Sequence, residues 1–119
     1  MKTINSNICG WSKTVCANSR LYFPESINDV CQIISKSISN NQSISIKGAG
    51  LSYGDNFLNT NGVIICTENM NKIINFDSFS GQIIVQSGVT IEDIYLFCIG
   101  DGWLLPAMPG SRYVTIEVL

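Results

Sequence analysis

Residues 48–62 carry four glycines and three asparagines and show neither a helical nor an alternating period. A compact domain rarely keeps a long irregular connection unless the segment is functional or disordered. The flanks are ordered by pattern. Ser43 to Lys47 alternates polar and apolar, with Ile44 and Ile46 on one face, which predicts a strand. Val63-Ile64-Ile65-Cys66 is continuous and β-branched, which predicts a buried strand. Whatever the fold, a glycine-rich loop must leave the end of one strand and return to another.

The remaining pattern supplies helices and more strands. Residues 1–19 are polar and predict irregular structure. Arg20 to Phe23 predicts a short strand closed by Pro24. Ser26 and Asp29 have capping-box spacing, with Asp in place of Glu. Ile27, Val30, Cys31, Ile34 and Ile38 then mark one face of an amphipathic helix over 26–39. Lys72–Phe76 and Gln82–Gln86 flank a turn at 77–81 and predict a hairpin. Thr90 and Asp93 repeat the capping spacing, Ile91, Ile94, Tyr95 and Cys98 form the next helical face, and Gly100 is the expected stop. Strand, helix, strand, loop, strand, hairpin and helix give an α+β arrangement around a mixed sheet, with no internal repeat and one domain over 1–119.

Composition removes several functions. The chain is 45% hydrophobic and 13% charged, as in a folded domain. No apolar run approaches the roughly 20 residues of a membrane span, and no apolar stretch of a secretion signal follows Lys2. The net charge is −2 and the seven basic residues are scattered, which argues against nucleic acid as a partner. The five cysteines are odd in number and lack C-x-x-C spacing, and there is no histidine. Reduced, partly buried thiols in a cytoplasmic protein are expected, and no zinc site. The lack of histidine also removes the commonest general base, and no nucleophile–base pair is visible.

The chemistry therefore concentrates in the loop, Ile46-Lys47-Gly48-Ala49-Gly50-Leu51-Ser52-Tyr53-Gly54-Asp55-Asn56. Glycines after a strand let backbone N–H groups approach a phosphate and form an anion-binding nest. Ser52 adds a hydroxyl and Lys47 a positive charge. The dinucleotide fingerprint G-x-G-x-x-G is not met, because Tyr53 stands at the third glycine and no helical pattern follows. A bare G-x-G also marks an ordinary turn, and spacing alone does not separate the two. A second small-residue turn, Pro109-Gly110-Ser111-Arg112, precedes Val114-Thr115-Ile116. Two such turns can close on one long phosphate-bearing ligand if the fold brings them together.

Five blocks, in order, carry a resemblance. They are Gly10-Trp11-Ser12, the stretch from Lys47 to Asp55, Phe76-Asp77 through Val85 to Ser87-Gly88-Val89-Thr90, Gly102-Trp103-Leu104-Leu105-Pro106, and Pro109-Gly110-Ser111-Arg112-Tyr113-Val114-Thr115-Ile116. Together they resemble the flavoprotein family of vanillyl-alcohol oxidase and para-cresol methylhydroxylase, nearest its decaprenylphosphoryl-ribose oxidase branch, over residues 9 to 116. The resemblance implies the N-terminal portion of a PCMH-type FAD-binding domain, with the substrate domain absent. It implies that Ile46, Lys47, Gly48, Ala49, Gly50, Leu51, Ser52, Tyr53, Gly54, Asp55 and Asn56 wrap the FAD diphosphate. It implies a backbone contact from Gly110 and a second cofactor stretch starting at Thr115 and Ile116. In the family that stretch continues with a glycine pair, where this chain has Glu117-Val118. Covalent members carry a histidine at or beside Leu51, so leucine implies non-covalent FAD.

The implied parent reaction oxidises a carbinol of a sugar-like or polyprenyl-phosphate sugar substrate, with an NAD(P)-dependent reductase as a possible partner in the branch. The departure at Glu117-Val118 leaves a truncated, non-catalytic nucleotide-binding module as the alternative. Other residues have bland readings beside functional ones. Tyr53 and Asp55 orient the flavin, or Asp55 caps a local turn. Arg112 neutralises phosphate, or is a solvated surface residue. Trp11 fits a buried N-terminal arm and Trp103 the core. Glu92 and Asp93 complement a helix dipole.

Overall fold

The computed structural model describes residues 2–9, 16–49, 62–106 and 111–116. Two sheets share the chain. The first is four-stranded in the order β1-β2-β4-β3, built from β1 (Lys2–Cys9), β2 (Cys16–Phe23), β3 (Ile44–Lys47) and β4 (Val63–Cys66). It is mixed: β1 pairs antiparallel with β2, while β2 and β3 each pair in parallel with β4. The second sheet is the hairpin β5 (Ile73–Asp77) and β6 (Gln82–Val85). The α+β expectation with a mixed sheet is met.

The central strand β4 is buried at every position, which explains its unbroken apolar sequence. One of its faces joins Leu21, Phe23, Ile64 and Cys66, and the other joins Tyr22, Ile33, Val63 and Ile65. Helix α1 (Ile27–Ser39) contributes Ile33 to the second cluster, with Val30 and Ile44 packed beside it. Ser26 Oγ accepts from Asp29 N at 3.2 Å, so the N-cap is as expected. The box is not reciprocal, because Asp29 Oδ2 takes the Glu25 N–H at 3.0 Å.

Several expectations are corrected. Residues 2–9 and 16–19 are not irregular: they extend into an eight-residue antiparallel pairing, from Lys2 opposite Phe23 to Cys9 opposite Cys16. The core-facing positions of α1 are Ile33 and Ser37, whereas Ile27 and Ile38 are 75% and 70% exposed. Cys31 is exposed too, unlike Cys66 and Cys98. Ile27, Val30 and Ile34 instead line an apolar groove of about 520 Å³ with Ile44, Ile46, Ile65 and Met70. Spacing found the apolar stripe but not the row next to it that meets the sheet.

In the second sheet, Ile73, Phe76, Ile83 and Val85 pack on Val89, Ile94 and Cys98, the last two from helix α2 (Ile91–Cys98). Thr90 Oγ1 accepts from Asp93 N at 3.1 Å and Asp93 Oδ2 accepts from Thr90 N at 3.2 Å, a complete capping box. Gly100 does not stop this helix. The chain continues through a 3₁₀ turn, α3 (Ile99–Asp101), and Gly102 ends it with φ +79°. Trp103 is not core. It is 37% exposed and lies against Gly81 of the hairpin turn, with Nε1 donating to Ser78 O at 2.7 Å.

The two sheets meet at Gly88. Its N–H donates to Met70 O at 2.9 Å, and a Cβ there would overlap the Thr67 carbonyl and come within 2.8 Å of Met70 O. Only glycine permits that backbone-on-backbone approach.

Candidate functional site

The join at Gly88 opens on one side into a cleft of about 270 Å³. One wall is the end of β3 and the turn after it, Lys47, Gly48 and Ala49, with Glu68 and Asn71 from the turn that follows β4. The other is Thr90, Asp93, Tyr113 and Thr115. The glycine turn after β3 and the segment after Ser111, far apart in sequence, thus border one cavity.

Each wall is held by backbone pairing. At the first, Lys47 O accepts from Thr67 N at 3.1 Å, extending the parallel ladder one residue past β4. At the second, Thr90 and Thr115 form an antiparallel bridge, and Ile116 N donates to Val89 O at 2.9 Å. Ile91 N donates to Val114 O and Glu92 N to Arg112 O, both at 3.0 Å. With Asp93 N on Thr90 Oγ1 and Ile94 N on Thr90 O, the first turn of α2 has spent its N–H groups. Helix N-termini are ready anion sites only while those donors are open. An anion in this cleft must find its partners elsewhere.

Two are available. Lys47 is the only cation lining the cleft among the described residues. Thr115 is 4% exposed, and its Oγ1 has no hydrogen-bond partner among the described residues. A buried hydroxyl left unpaired costs about 1–3 kcal/mol, so such groups in native structures call for an explanation. A ligand oxygen in the cleft would complete the hydroxyl. The carboxylate of Asp93 is engaged by the Thr90 N–H. At the rim, Arg112 Nη2 donates to Tyr113 Oη at 2.7 Å, and its Nε lies 3.8 Å from Glu92 Oε2. The Tyr113 hydroxyl first, and then the charges of Tyr113 and Glu92, hold the guanidinium above its usual pKa.

The residues expected from sequence divide three ways. Lys47, Gly48, Ala49 and Thr115 are together in the cleft. Ile46 lines the apolar groove instead, and Ile116 packs on the Val89, Ile94 and Cys98 cluster. Gly50, Leu51, Ser52, Tyr53, Gly54, Asp55, Asn56 and Gly110 lie outside the described residues. Sequence reasoning gave no role to Glu68, Asn71, Gly88 or Tyr113. The last two stood inside the resembling blocks and were the available signal.

Comparison with known proteins decides the family. The model of the FAD binding domain matches residues 19–116. The chain belongs to the FAD-binding domain family. Decaprenylphosphoryl-beta-D-ribose oxidase of Mycolicibacterium smegmatis is 24% identical over 115 residues, which are 96% of this chain and 25% of that protein. L-gulonolactone oxidase of Mus musculus is 27% identical over 107 residues, 89% of this chain and 24% of the enzyme. The chain thus spans about a quarter of the length of these relatives.

Solved structures share the fold. A BBE-like protein variant of Physcomitrella patens superposes with TM-score 0.76 at 21% identity, over 86% of this chain and 22% of that one. Alkyldihydroxyacetonephosphate synthase gives 0.73 at 19%, over 87% and 20%. The chain therefore shares the α+β fold of these two structures, and as a member of the FAD-binding domain family it has FAD as its cofactor. Among the described residues no helix is long and apolar enough to cross a membrane, and no acidic, cysteine or histidine cluster could hold a metal ion.

Proposed function

We propose that this chain is the cofactor-binding portion of an FAD-dependent oxidoreductase that oxidises a carbinol of a sugar-like or polyprenyl-phosphate sugar substrate. Lys47, Gly48 and Ala49 would hold the FAD diphosphate from one wall and Thr115 from the other. Gly50–Asn56 and Gly110 would continue the same contacts. The observation that carries the reading is the buried Thr115 hydroxyl, without a partner among the described residues, in the cleft that Lys47 borders. Backbone donors, one lysine and one hydroxyl suit a dianionic bridge that must be held without a metal.

Bound FAD supplies the hydride acceptor, and the protein's share is binding and orientation. Leu51 has no nucleophilic atom, so the attachment is non-covalent. The chain has no histidine and is expected to be inactive alone, with the substrate-lining residues contributed by the part of the relatives that it does not span. A cytoplasmic setting and an NAD(P)-dependent reductase partner accompany this reading. A second reading, a non-catalytic nucleotide-binding module, is favoured by Glu117-Val118 at the position of the family's glycine pair.

Flavin-fluorescence titration of the purified chain tests the assignment. FAD is expected to bind and to come off with acid-precipitated protein as free flavin, while Gly50→Val abolishes binding. Binding that survives Gly50→Val, or an absence of binding to well-folded protein, would reject it.

A further inference from the structure

Tyr113 is a large aromatic side chain left 53% exposed while its surroundings hold it still. The guanidinium of Arg112 lies over its ring, 4.9 Å from the centroid, and also donates to its hydroxyl. Glu92 stands 3.8 Å from Arg112 Nε, and the Glu92 N–H fixes the Arg112 carbonyl. Ser111 Oγ accepts from Tyr113 N at 3.2 Å. The ring is thus pinned at its backbone and at its tip, and it borders the cleft. A preset ring loses little rotamer freedom when a flat group covers it.

The same cleft contains two kinds of polar group. Lys47 and the Thr115 hydroxyl suit an anion. Glu68 does not: its carboxylate repels phosphate and accepts hydrogen bonds from hydroxyl groups. An aromatic platform, an anion subsite and a hydroxyl-reading carboxylate in one cleft match three successive parts of a nucleoside diphosphate.

We propose that Tyr113 is the stacking platform for the purine base of an adenosine diphosphate moiety, and that Glu68 accepts from its ribose hydroxyls. The proposal rests on the FAD reading and goes beyond it, by assigning this part of the cleft to the adenosine half of the dinucleotide rather than to the flavin ring. Specificity for FAD over FMN then arises here.

Calorimetric titration of the chain with ADP, FAD and FMN separates the outcomes. The variants are Tyr113→Ala, Tyr113→Phe and Glu68→Gln, each verified as folded by its melting transition. Wild-type protein should bind both ADP and FAD. Tyr113→Ala should weaken both about tenfold, the scale of one base–aromatic stack, and leave FMN unchanged. Tyr113→Phe should keep the affinity of the parent. Glu68→Gln should weaken ADP and have no effect on 2′,3′-dideoxy-ADP. Unchanged ADP and FAD binding in Tyr113→Ala would overturn the platform while leaving the FAD reading standing. A loss confined to FMN would place the flavin there and overturn the adenosine assignment. Folded wild-type protein that bound neither ADP nor FAD would defeat both.

Discussion

The indole of Trp103 occupies the space that a side chain at position 81 would need. A Cβ built on Gly81 would lie 2.6 Å from Cζ3 of that ring, and Gly81 has φ +79°. Trp103 in turn donates to Ser78 O, so the residue after the Gly102 cap clasps the β5–β6 turn. Gly81→Ala should therefore destabilise the domain by about 1–2 kcal/mol from left-handed backbone alone, with the indole clash adding to it. Thermal denaturation checks this. Gly100→Ala is the control, because nothing lies within 4 Å of a Cβ there. It should be neutral or gain up to about 1 kcal/mol.

Thr115→Val should have opposite effects on stability and on binding. The substitution removes a buried hydroxyl that has no partner among the described residues. The free protein should gain about 1 kcal/mol in urea denaturation. FAD affinity should fall about tenfold, since a hydrogen bond to a charged group is lost. Thr115→Ser should retain the affinity. Weaker stability together with unchanged FAD affinity would show that the hydroxyl serves the fold.

The hairpin turn should be sensitive to acid through Asp77. Ser80 Oγ at 2.9 Å and the N–H groups of Phe79 and Ser80 donate to its carboxylate. They hold its pKa below the ordinary 3.8, with the Ser80 hydroxyl the largest cause. A carboxylate with a depressed folded pKa contributes stability above its unfolded pKa and loses it as pH falls through the folded value. Asp77→Asn should thus be less stable than wild type near about pH 6, with the difference shrinking as the pH falls below 3.8 and through the folded-state pKa. A constant difference across that range would reject the assignment.

Thiol reactivity should sort by position. Cys31 is exposed on α1, whereas Cys66 and Cys98 are buried. Burial, and then the charge of Asp101, pushes the Cys98 thiol above 9.0. Reaction with a disulfide reagent in native buffer should lose one fast equivalent in Cys31→Ser and none in Cys66→Ser or Cys98→Ser.

What could be read from sequence was local. Ser26 and Thr90 announced their helices because a cap is completed by residues three positions on. Val63–Cys66 announced a central strand because every side chain there is buried. The misses depend on distant partners. Strand β1 is polar and exists through its pairing with β2. Ile33 was passed over for Ile34, because spacing defines a stripe and the sheet selects the row. Trp103 reads as core until Gly81 is seen to offer it a surface. At the site, both turns were visible as glycine and small-residue motifs. That Gly48 and Ala49 share a cleft with Tyr113 and Thr115 was not, since the Gly88 contact with Thr67 and Met70 beside it leaves no local trace.

That contact has a thermodynamic corollary. One wall of the cleft comes from the end of β3 and the turn after β4, the other from the start of α2 and the segment after Ser111, so a molecule held between them is bound by neither side alone. Its affinity reports how firmly the halves are docked, and by mass action a saturating concentration favours the docked state over any form in which they separate. Gly88→Ala, whose Cβ would meet the Thr67 and Met70 carbonyls, would then weaken binding by disturbing the cleft wall, and excess cofactor should recover part of the lost melting temperature.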